Sequence, residues 1–110
     1  MNEYTFEVNG KEYQAKFTIG ALVKLEEWTG KGIAMLADEE KFGINTIVDL
    51  LRAALYHKNK GITKQVAMNI YEEFVDAGGD RKELFNELIQ LYSKSVKNYM
   101  PIDEDDSGNE

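Results

Sequence analysis

The dipeptide Asn9-Gly10, set between two alternating apolar runs, commits the start of this chain to a β-hairpin. Upstream, Tyr4, Phe6 and Val8 alternate with Thr5 and Glu7. If Asn9 and Gly10 form the loop, the numbers of facing residues sum to 19, so Phe6 faces Tyr13 and Tyr4 faces Ala15, and Phe17 continues the same side. Thr5, Glu7, Glu12, Gln14 and Lys16 collect on the other side. A slip of one residue would send every apolar side chain to the wrong face. The same register sets Glu7 against Glu12, a like-charge pair that costs a few tenths of a kcal/mol.

A lone hairpin is barely stable in water, so its apolar face needs a cover. Helical patterns follow it. Thr18 is placed to cap a helix over 19–29 that carries Leu22, Leu25 and Trp28 on one stripe, with Ala21 and Val23 beside it, and Gly30 to end it. A further turn or two is expected over 33–38. Ile44, Ile47, Val48, Leu51, Ala54 and Leu55 recur at three and four and predict a helix over 44–58, with Asn45, Asp49, Arg52 and Lys58 on its polar side. Thr63 then caps a helix over 64–77 with Val66, Ala67, Ile70 and Phe74 inward, stopped by Gly78-Gly79. Asp80, with Glu83 three residues on, opens a last helix over 81–99 that ends before Pro101. The expected fold class is α+β, mostly α: an N-terminal hairpin over 3–18 packed on a cluster of four to five short helices. These form a single globular domain over 1–100, and an acidic tail over 101–110 is expected to be disordered.

Groups that could carry catalysis are sparse. The chain has no cysteine, which removes thiol, disulfide and Cys-ligated metal chemistry. Its one histidine, His57, falls near the C-terminal end of a helix, where the dipole favours a cation, and no partner for a base or metal role can be placed. The carboxylate doublets Glu26-Glu27, Glu39-Glu40 and Glu72-Glu73 point about 100° apart on a helix, so each presents at most one group to a cleft. Asp103 to Asp106 lack the spacing of an EF-hand loop, and no glycine pattern matches a phosphate-binding loop. The expectation is a non-enzyme with no cofactor and no metal.

Charge narrows the partners. Thirteen basic residues against twenty acidic ones leave a net charge of −7, which repels nucleic acid and anionic lipid. The nearest basic cluster, Lys58, Lys60 and Lys64 with Arg52 and His57, is short and has no interleaved aromatics. A DNA-binding regulator is therefore disfavoured. No apolar run approaches the roughly 18 residues that cross a bilayer. Met1-Asn2-Glu3-Tyr4 lacks the basic and apolar stretches of a signal peptide, so a cytosolic protein is expected.

The last helix is wider than a one-sided amphipathic helix needs to be. Leu84, Leu88, Leu91 and Ser95 form one stripe, and Phe85, Ile89, Tyr92, Val96 and Tyr99 form a second beside it. Two readings stand at this point. Either the helix is central and covered on both stripes, or the second stripe is left for a partner protein, a role that tyrosine suits. On the second reading Phe85, Ile89, Tyr92, Val96 and Tyr99 are the candidate partner-binding residues. Wide apolar faces also allow the chain to self-associate.

The run Phe6-Glu7-Val8-Asn9-Gly10-Lys11-Glu12-Tyr13, then Lys16-Phe17-Thr18, then Gly20-Ala21-Leu22-Val23-Lys24-Leu25-Glu26-Glu27-Trp28-Thr29-Gly30 resembles the opening of the tail assembly chaperones of tailed bacteriophages. Leu50-Leu51-Arg52-Ala53-Ala54-Leu55-Tyr56-His57, followed by Ile62-Thr63, resembles their central helix–loop–helix. The resemblance covers roughly residues 4–75 and departs at Lys58-Asn59-Lys60-Gly61, where relatives often carry proline. The family has no short invariant motif, so it transfers no partner-binding residue. It implies a non-enzymatic chaperone, of a phage or prophage, that binds the tape measure protein and recruits tail tube subunits. It also implies action in the host cytoplasm and absence from the mature virion. The alternative is a small regulatory or adaptor domain that binds one folded protein.

Overall fold

The computed structural model describes residues 2–30 and 43–101. Two strands, β1 (Tyr4–Val8) and β2 (Lys11–Ala15), precede four helices: α1 (Ile19–Thr29), α2 (Ile44–Leu55), α3 (Lys64–Asp76) and α4 (Arg81–Tyr99). The turn expected over 33–38 and the tail beyond Pro101 lie outside the described residues.

Asn9 and Gly10 both take positive φ, 50° and 86°, the mirror-image turn whose twist matches that of the paired strands. The register is the one that the sum of 19 requires, from Val8 against Lys11 to Tyr4 against Ala15, with Glu7 opposite Glu12. Phe6, Val8, Ala15 and Phe17 are buried. Phe6 stacks on Tyr13 at 5.4 Å between ring centres and meets the edge of Phe74 on α3 at 5.7 Å. Phe17 meets Tyr92 of α4 edge-on, also at 5.7 Å.

The helix boundaries follow local chemistry. The hydroxyls of Thr18 and Thr63 accept from the N–H groups of Ala21 and Val66, each at 3.1 Å, and the Asp80 carboxylate accepts from Glu83 N–H at 3.1 Å. Each cap satisfies a donor that a helix start leaves open. Gly30 ends α1 in the left-handed region at φ 69°, its N–H donating to Glu26 C=O. At the end of α3, Gly78 is left-handed at φ 88° and donates to Val75 C=O, while Gly79 donates to Phe74 C=O. This is the paired closure of a Schellman motif. A Cβ at Gly79 would sit 2.5 Å from the Phe74 ring, so only glycine lets the chain pass that close.

The central helix is α2, which touches α1, α3, α4 and β2. Its buried residues are Val48, Leu50, Leu51, Ala53, Ala54 and Leu55, wider than the single stripe expected, and Ile44 at its start is 73% exposed. It stops at Leu55 and not at 58. Tyr56, Lys58 and Asn59 donate to carbonyls three residues back, so the chain tightens there into narrower turns. Two further expectations change. Val23 on α1 points outward at 50% exposure, because two residues' separation sets it about 160° around the helix from the buried Leu25, and Val66 on α3 is 38% exposed. Among the described residues, no helix is long and apolar enough to cross a membrane.

Candidate protein-binding surfaces

On α4, Asp80 fixes the start and an extended Met100 before Pro101 fixes the end, so the helix runs its full length as one rod. The first stripe, Leu84, Leu88, Leu91 and Ser95, is buried. The second divides. Tyr92 and Val96 are 4% and 8% exposed, Tyr92 lying against Phe17 where the chain leaves the hairpin for α1. Phe85 and Ile89 are half-buried and packed against the core. Tyr99 is 50% exposed, and Met100 beside it 42%. The five candidate residues therefore share a helix face but not a surface: Tyr92 and Val96 are covered by the chain itself, and the open part is at Tyr99.

Tyr92 keeps an anomaly. Its hydroxyl is buried and, among the described residues, has no hydrogen-bond partner. Burial pushes its pKa up to about 12, and the charge of Glu26 adds to the shift. At the other end of α4, the Tyr4 hydroxyl donates to Glu83 at 2.9 Å and ties β1 to the first turn. Burial and then that bond push the Tyr4 pKa to about 12.

Of the basic cluster seen in the sequence, Arg52, Lys64 and His57 are engaged within the fold, while Lys58 and Lys60 are exposed. Arg52 lies 3.6 Å from the centre of the Trp28 ring, and its Nε donates to Ile62 C=O at 3.0 Å. Burial lowers its pKa. Lys64 donates to Asn45 at 2.8 Å and lies 3.9 Å from Asp49. His57 Nε2 is 2.9 Å from Gln14 C=O; a carbonyl only accepts, so this nitrogen carries the proton and staples the end of α2 to β2. Among the described residues, no group of three His, Cys, Asp or Glu side chains could hold a metal ion.

Sequence reasoning missed a cleft of about 570 Å³ along β2. Residues 11–14 form one side, and Leu55, Ile62, Val66 and Ile70 contribute apolar wall, with Lys58 and Glu73 at its margin. Its one legible signal was the pair Val66 and Ile70, four apart on α3, with Ile62 just ahead of the Thr63 cap.

No curated protein and no solved structure matches the chain. The family of phage tail assembly chaperone proteins (TAC) matches residues 5–98. That span begins inside β1, takes in the hairpin and all four described helices, and ends one residue short of the last residue of α4. It includes the last helix, which the sequence resemblance did not reach. The chain belongs to the phage tail assembly chaperone family.

Proposed function

We propose that this chaperone binds the tape measure protein during tail assembly and recruits tail tube subunits to it. The family match over residues 5–98 carries the reading. The fold supports it with apolar side chains left in water on an acidic chain: Tyr99 and Met100 at the end of α4, and Ile19 and Val23 on α1. An apolar helical partner would cover such side chains, and a net charge of −7 would keep the complex dispersed. In this account Phe85, Ile89 and Tyr99 face the partner, and Tyr92 and Val96 hold the helix beneath them. The protein works in the host cytoplasm and is not retained in the virion.

The test is co-purification with tape measure fragments. Tyr99→Asp is expected to weaken retention while helix content stays unchanged, because Tyr99 is already half in water. Tyr92→Asp is expected to lose helix content. Full retention by Tyr99→Asp would move the contact away from α4.

A further inference from the structure

The open stretch of β2 has a donor and acceptor pattern that calls for a particular kind of ligand. With a two-residue turn at Asn9-Gly10, the pairs Val8–Lys11, Phe6–Tyr13 and Tyr4–Ala15 exchange backbone hydrogen bonds, and Glu12 and Gln14 turn theirs away from β1. The outer edge is covered at one end. His57 donates to Gln14 C=O, and Lys16 N–H donates to Ala54 C=O. Among the described residues nothing pairs with Glu12 N–H, Glu12 C=O or Gln14 N–H. Glu12 and Gln14 line the cleft of about 570 Å³, whose lining also includes Val66, 38% exposed, and the edges of Ile62 and Ile70, which are otherwise buried.

We propose that this cleft takes an extended segment of a partner protein, which adds as a third strand to the free part of β2 and seats alternate apolar side chains against Ile62, Val66 and Ile70. A row of alternating backbone donors and acceptors is matched by extended backbone, and an apolar wall beside it reads alternate side chains. Size agrees, since a cleft of this volume holds a few residues. A second copy of the chain is a poor occupant. Two-fold pairing centred on the open stretch sets Glu12 against Glu12 and joins two chains of charge −7. The occupant we assign is therefore a partner chain rather than a second copy, neutral or basic at its flanks. This inference is independent of the tape measure reading and concerns a different surface from α4.

The probe is a short synthetic peptide alternating valine and threonine between terminal lysines, titrated into the full ¹⁵N-labelled chain. Amide shifts are expected at residues 11–14 and 62–70, with slowed exchange at Glu12 and Gln14. The same peptide N-methylated along its backbone keeps its side chains and charge but loses its donors, and is expected to bind about tenfold more weakly or worse. Val66→Asp is expected to weaken binding to a similar degree. Val66 is already 38% exposed, and the wild-type comparison of the two peptides stands even if that variant fails to fold. Absence of binding, equal binding of the N-methylated peptide, or shifts centred elsewhere would overturn the proposal. So would a concentration-dependent dimer that protects Glu12 and Gln14 without peptide.

Discussion

Replacing Tyr92 with phenylalanine should make this protein more stable. The hydroxyl is buried in a side chain that is 4% exposed and finds no partner among the described residues, so it has given up its water bonds with no bond from those residues in return. An unsatisfied buried hydroxyl costs about 1–3 kcal/mol. The packing that Tyr92 supplies comes from its ring, edge-on to Phe17 at 5.7 Å, and phenylalanine keeps that ring. The net effect is a gain of about 1–2 kcal/mol, which in a chain of this size raises the melting temperature by about 4 °C or more. Thermal and urea unfolding at neutral pH measure it directly. Tyr4→Phe is the internal contrast, because it removes a hydroxyl that donates to Glu83 and should lower stability by about 0.5–1.5 kcal/mol. A Tyr92→Phe variant no more stable than the parent would mean that the hydroxyl has a partner in solution, and the reasoning would fail.

Alkaline unfolding should follow from the same two tyrosines. Both have folded pKa values near 12 against an ordinary value of 10, so the unfolded chain loses its phenol protons first. Their contribution is whole below pH 10 and is lost as pH rises toward 12; a stability profile by urea titration should fall across that window and flatten in Tyr4→Phe/Tyr92→Phe. Gly79→Ala should destabilise by about 1–3 kcal/mol, since its Cβ would overlap the Phe74 ring that packs on Phe6. Gly78→Ala, which meets no atom within 4 Å and pays only for φ 88°, should cost about 1 kcal/mol in the same denaturant assay. Arg52→Lys should cost about 1–2 kcal/mol, because an ammonium cannot stack flat on Trp28 while reaching Ile62 C=O; an unchanged urea midpoint would remove that clasp from the account.

What could be read from the sequence was what local chemistry decides. Asn9-Gly10 dictates a left-handed turn, and with it every strand pair. Thr18, Thr63 and Asp80 act on N–H groups three residues away, so the helix starts were legible. What could not be read was which neighbour covers a given face. Periodicity measures the width of an apolar stripe and says nothing of the chain that lies on it. Tyr92 and Val96 were therefore grouped with Tyr99 as an outer stripe, though Phe17, from the other end of the chain, lies over Tyr92. The same blindness made α4 look like the helix needing most cover, when α2 has neighbours on four elements. Arg52 read as a solvated charge because nothing local reveals Trp28 beneath it. The cleft escaped notice since the hairpin, the end of α2, the connection that follows it and α3 line it jointly, and none of these segments is unusual alone.

Whether this chain offers apolar surface to another protein, and does so by coating the tape measure, is tested most directly by expressing a tape measure fragment with and without it. The fragment alone is expected to sediment as aggregate, and co-expression to return it to the supernatant in a complex of defined mass by light scattering. A fragment that sediments equally in both cases, with the chaperone running alone in the supernatant, would contradict it.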